Sequence, residues 1–90
     1  MNKIFKALDD PTRRKILELL RPGDMNVGEI GNHFTIAGAT MSHHLKILLD
    51  AGLVVCEKAG QQRIYRLNTT VFQEVIEWVF SLKGEKNEKA

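Results

Sequence analysis

Ninety residues with 13 Lys and Arg against 11 Asp and Glu, 43% of them hydrophobic, make one domain around a single small core. No apolar run nears the roughly 20 residues of a membrane span, the opening MNKIFKALDD lacks the apolar centre of a secretion signal, and a lone Cys56 excludes an internal disulfide or a cysteine-pair metal or redox site. The expected setting is a reducing cytoplasm, and the net charge of +2 is unevenly spread, residues 1–66 holding ten basic against seven acidic side chains, a bias that suits an anionic partner.

The first predicted helix is short, from Lys3 to Leu8, with Ile4, Phe5 and Leu8 on one side. It stops at DDP, where Asp10 as N-cap and Pro11 at the first helical position start a second helix with the stripe Ile16, Leu17 and Leu20. RPGD ends that helix. Asn26 caps a third, with Glu29 placed for a capping box and Val27, Ile30 and Phe34 along the buried edge. A tight TIAG connection leads into a fourth helix that stops at Gly52. Beyond Gly52 the period changes from helical to alternating, and LVVCEKA and RIYRL, joined by GQQ, form a β-hairpin. NTTVFQEVIEWVFSL then returns to helical spacing, with Thr70 and Gln73 set as another capping box. The charged residues 83–90 read as a flexible tail behind a domain of residues 1–82. This order defines a fold that is mainly α with a small β-hairpin: helix–helix–helix–helix–hairpin–helix, a winged helix-turn-helix built on the third and fourth helices.

Two adjacent histidines in the fourth helix raise the question of chemistry. With Met41 at zero and about 100° per residue, Leu45 falls at about 40° and Leu48 at about 340°, the buried side. Ala39, His43, Lys46 and Asp50 fall opposite, at roughly 140–200°, and His44 leans back toward the core at about 300°. Neighbours that diverge this far cannot chelate one metal, which needs i, i+3 or i, i+4 spacing. No carboxylate pair or second cysteine is placed to complete a metal or catalytic site with them, so His44 is expected to be packed and hydrogen-bonded at the helix junction. Ala39, Thr40, Ser42, His43 and Lys46 instead form a face of small and hydrogen-bonding groups that suits the DNA major groove; an ordinary solvated face carries Glu and Lys at every turn.

Around the hairpin turn, Lys58, Gln61, Gln62 and Arg63 are placed to touch phosphate or the minor groove, the alternative being a sheet edge protected by charge. Arg13 lies about 60° from Ile16, on the buried side of its helix, and is expected to pair with a carboxylate or with carbonyls at a helix end. Arg14, at about 160°, is a surface charge or a phosphate contact. The last helix carries two neighbouring apolar stripes, Val71, Val75, Trp78 and Leu82 beside Phe72, Ile76 and Val79, more than one core needs. One stripe is expected to cover the wing and core and the other to meet a partner. The expected interface of a two-fold homodimer is therefore Ile4, Phe5 and Leu8 with Phe72, Val75, Ile76, Trp78 and Val79, which sets two recognition helices about one DNA turn apart.

Together, FKALDDPTRRKILELL, SHHLKILLDAGLV and YRLNTTVFQEVIEW resemble the ArsR-type winged-helix repressors, and among them the SdpR-type autorepressors, over nearly all of residues 3–82. The resemblance implies an autoregulatory repressor, not an enzyme, that binds a palindromic double-stranded DNA operator as a homodimer through its first and last helices and uses no cofactor. For the autorepressor branch it also implies sequestration by a membrane immunity protein. Many members release DNA on binding metal, but their ligand sets are missing here: NVGEIGNHF has no Cys-x-Cys, and the last helix has no His or Asp. Where a serine often caps the recognition helix, IAGAT supplies Ala37 and Gly38, so a looser start and weaker base readout near Ala39 and Thr40 are expected. Two rival readings stand beside this one. The first is a metal-responsive repressor with ligands shared across the dimer, such as His33 with acids of the other chain; the second is a winged helix that binds only proteins.

Overall fold

In a computed structural model that describes residues 1–84, the chain runs α1 (Asn2–Leu8), α2 (Pro11–Leu20), β1 (Met25–Asn26), α3 (Val27–Gly31), α4 (Gly38–Asp50), β2 (Val54–Ala59), β3 (Gln62–Leu67) and α5 (Thr69–Leu82). Most of the expected tail lies outside the described residues. No helix among the described residues is long and apolar enough to cross a membrane.

The helix starts show which local signals act. Asp10 accepts the Arg13 amide at 3.0 Å with Pro11 at the first helical position. Asn26 and Glu29 close a reciprocal capping box, at 2.8 Å to the Glu29 amide and 2.9 Å from the Asn26 amide. Helix α4 begins on Ala37, which is extended and has no side chain to offer the first amides. At α5 the expected Thr70–Gln73 box does not form: Asn68 is the N-cap position and Thr70 already lies within the helix. The reason is tertiary. Asn68 donates its amide nitrogen to Leu53 and its side-chain amide to the Gly52 carbonyl, both at 2.9 Å, which ties the start of α5 to the end of α4.

Helix α1 has seven residues, too few to be stable alone. Arginines of α2 hold its end. Arg13 Nε and Nη2 donate to the carbonyls of Ala7 and Lys6 at 2.8 and 3.1 Å, and Arg14 Nη1 donates to Leu8 at 2.7 Å. These carbonyls lie in the last turn of α1, where a helix terminus lacks its usual amide partners, although Lys6 also accepts the Asp9 amide at 3.2 Å, and cations suit that end of the macrodipole. Arg13 thus takes the carbonyl pairing expected of it, and Arg14, though exposed, is tied to the same helix end.

Helix α3 is shorter than expected, stopping at Gly31, and six residues rather than the tight TIAG connection lead to α4. The box starts this helix, but Gly28 and Gly31 weaken its propagation. Phe34 falls outside it yet still packs on the core. The hairpin also differs in detail. Gln62 is the first residue of β3, leaving a two-residue Gly60–Gln61 turn with Gly60 at φ 64°. A third strand, β1, pairs antiparallel with β3, Met25 against Tyr65, giving the order β1-β3-β2.

Ile16 and Leu20 of α2, Ile30 of α3, Met41, Leu45 and Leu48 of α4, and Leu53, Val54 and Tyr65 around the sheet form the buried centre, with Ala7 of α1. Helix α5 has no buried residue. Val71 and Phe72 in its first turns pack against the core, whereas Ile76, Trp78, Val79 and Leu82 further along are exposed. The division expected between two lengthwise stripes is therefore replaced by one between the two ends of the helix. The core reaches only as far as the first turns of α5.

Candidate nucleic-acid interface

Burying Met41, Leu45 and Leu48 at i, i+4 and i+7 turns the opposite side of α4 outward. Ala39, Thr40, Ser42, His43 and Lys46 are all exposed there. The face carries hydroxyls, one imidazole and one cation, with small residues at its N-terminal end. Lys46 reaches back to Asp50 at 3.4 Å, a surface pair worth little that a stronger anion would displace. His44 is turned inward as expected, its side chain 14% exposed and hydrogen-bonded to Arg13.

The second group surrounds the hairpin turn. Lys58, Gln61, Gln62 and Arg63 are exposed, and Gln62 accepts the Asn26 side-chain amide at 3.2 Å, tying the wing to the start of α3. A shallow cleft between them is lined by Asn26, Val27, Gly28, Gln61, Gln62 and Arg63. The strand register adds something the sequence did not disclose: Lys58 stands directly opposite Arg63. Like charges in facing positions oppose strand pairing. The nearest acid in the strand, Glu57, is engaged by Arg66, which also bonds Asp24 at 3.3 Å. The wing tip thus concentrates positive charge, while at the base of the sheet Arg66 is shared by two carboxylates.

Sequence reasoning missed the Asn26–Gln62 bond, the Arg66 cluster and exposed Ile36, which sits in the approach to α4 and is 39% exposed. Only Ile36 had a visible signal, as an apolar residue between turn positions. Among the described residues, no three of His, Cys, Asp and Glu are grouped to hold a metal ion.

The expected dimer residues divide by exposure. Phe5, Ile76, Trp78 and Val79 are exposed, while Ile4, Leu8, Phe72 and Val75 are half-buried. Phe5 and Trp78 meet across α1 and α5 with ring centroids 5.5 Å apart and planes tilted by 57°, so the two helices share one apolar face.

A short helix pair, a β-wing after its second member and an outward polar face on that member define a winged helix-turn-helix regulator. The chain belongs to the arsR family of bacterial regulatory proteins, whose model matches residues 10–55. It is similar to the transcriptional repressor SdpR of Bacillus subtilis, 48% identical over 89 residues that cover 97% of this chain and 99% of that one. It is also 40% identical to an arsenical resistance operon repressor of Staphylococcus xylosus, over 76% of this chain and 65% of that protein. Among solved structures, the ArsR family transcriptional regulator RHA00566 superposes with a TM-score of 0.86 at 32% identity, covering 92% and 86% of the two chains. HlyU from Vibrio cholerae does so at 0.73 and 30%, covering 89% and 87%. The protein is a transcriptional repressor of the ArsR family, not an enzyme.

Proposed function

We propose that this repressor binds a palindromic operator as a homodimer, reading bases with the exposed face of α4 and holding phosphates with the wing, and that it regulates its own promoter. The observation that carries this reading is the α4 face itself: Ala39, Thr40, Ser42, His43 and Lys46 turn outward together on the second helix of a helix-turn-helix. The Lys58–Arg63 opposition supports it, because a phosphate between the two cations relieves a local repulsion. Autoregulation rests on the similarity to SdpR-type repressors over almost the whole chain.

The test is binding to duplex DNA from immediately upstream of the chain's own coding region. Affinity is expected to fall steeply as salt rises, because bound phosphates release counterions. His43→Ala is expected to relax sequence preference more than Arg14→Ala, since Arg14 is held at the end of α1. Absence of salt-dependent binding to that duplex would leave the protein-interaction reading in its place, and binding that neither substitution alters would overturn the assignment of the reading face.

A second reading has relatives behind it that are named for arsenical and cadmium resistance. In it, exposed His33 meets acids of the other protomer around a metal ion. Zinc retained by the native dimer in a mass spectrum is the result that would favour it.

A further inference from the structure

One side chain joins three helices beside the proposed reading face. Arg13 of α2 donates through Nε and Nη2 to the Ala7 and Lys6 carbonyls of α1, and its Nη1 lies 3.1 Å from Nδ1 of His44 on α4. A guanidinium has donors only. In this hydrogen bond Nδ1 of His44 is therefore the acceptor. Its side chain is only 14% exposed, and Asp10 Oδ2 is 3.9 Å from the same nitrogen.

We propose that the Arg13–His44 hydrogen bond is a positioning contact that sets the recognition helix against α1, and that protonation of His44 releases it, so that operator affinity falls on acidification. The inference rests on the DNA-binding reading above. Histidine is the side chain that ordinarily changes charge between about pH 5 and 8. The groups facing His44 are Arg13 and Asp10 from α2 and, on its own helix, His43, whose ring centroid is 6.2 Å away. Helix α1 contributes backbone carbonyls that Arg13 already occupies. A proton on Nδ1 sets two cations face to face at the former hydrogen bond. The acceptor within reach is then Asp10, which is engaged in capping α2 through the Arg13 amide. Exchanging Arg13 for Asp10 breaks the link from α1 to α4.

The sign separates this mechanism from simple electrostatics. Added positive charge on His43 or His44 favours binding to a polyanion. Loss of affinity in acid runs the other way, as disturbance of the helix would produce, and the His44→Asn comparison below separates it from acid effects elsewhere in the protein.

The experiment measures fluorescence anisotropy with the upstream duplex at constant ionic strength from pH 8 to 5.5, for the wild type, His44→Asn and His44→Leu. The Asn variant offers an amide oxygen close to where Nδ1 lies, and that oxygen does not titrate. Wild-type affinity is expected to drop by about fivefold or more across the range, within the usual span of site-to-site coupling. His44→Asn is expected to bind like the wild type at pH 8 and to hold its affinity at pH 5.5. His44→Leu is expected to be weak at both. Hydrogen exchange of the α4 amides without DNA is the second readout, expected to be faster in His44→Leu than in the wild type at pH 8. Parallel pH curves for the wild type and His44→Asn, or unchanged exchange in His44→Leu, would overturn the positioning role. Absence of salt-dependent wild-type binding at pH 8 would instead overturn the DNA-binding reading, with the exchange result still deciding whether Arg13 and His44 hold α4.

Discussion

Asp10 joins local helix capping to the wider fold. Its carboxyl is held below the ordinary value of 3.8, chiefly by the hydrogen bond from the Arg13 amide; partial burial opposes this, and the charges of Arg13 and His44 add to it. A carboxyl depressed in the folded state contributes stability above its unfolded value, and that contribution is lost as pH falls through the folded value. Asp10→Ala is expected to cost about 1 kcal/mol in urea unfolding at pH 7, the usual worth of an N-cap. The gap from the wild type should close as the pH is lowered below about 4, where the carboxylate protonates. Arg63 behaves differently, because it is exposed and faces Lys58 across the hairpin. Arg63→Ala is expected to leave thermal stability unchanged or slightly higher, while reducing the slope of log affinity against log salt by about 1.

At the scale of the element, α4 is held unevenly. Its start has no side-chain cap, and Ala37 sits at φ −65° and ψ 151°, extended backbone that suits a capping residue. Ala37→Ser is therefore expected to stabilise the protein by about 1 kcal/mol, read as a rise of about 4–8 °C in Tm. The other end relies on Gly52 at φ 78°, whose carbonyl accepts the Asn68 amide. A methyl group there would meet Val71 Cγ2 at 3.7 Å, an ordinary contact, so the cost of Gly52→Ala lies in the backbone. About 1–2 kcal/mol is expected in the same unfolding assay. The caps of α2 and α3 were legible because each joins residues three apart. The start of α5 was not, since Asn68 answers to Gly52 and Leu53 across a turn of the fold.

For the whole molecule, shape and surface point the same way. The Cα radius of gyration is 14.6 Å, against about 12 Å for a compact chain of this length. Helix α5 buries none of its residues, and its exposed Ile76, Trp78 and Val79 join Phe5 of α1 in one apolar face. Exposed apolar patches of this kind commonly mark partner surfaces, and a second copy seated here fits the proposed two-fold operator reading. Trp78→Glu is expected to shift sedimentation from a dimer toward the 10.2 kDa monomer and to weaken operator binding with it. A variant that stays dimeric at micromolar concentration would remove α5 from the interface.

The chain order of helices and hairpin, the buried side of α4 and the outward turn of His43 were all determined by the sequence alone. Each follows from periodicity or from a cap within one turn, and such signals act between near neighbours. The third strand, the opposition of Lys58 and Arg63, the acids around Arg66 and the choice of His44 as a partner for Arg13 were decided only by the tertiary structure. Met25–Asn26 is too short to show a period, and it is a strand only because β3 lies beside it. Arg13 and His44 are 31 residues apart, so their contact depends on how three helices pack. Helical spacing turned each of them inward, but packing of that kind reflects the summed burial of many side chains, and neither position shows that the other is its partner.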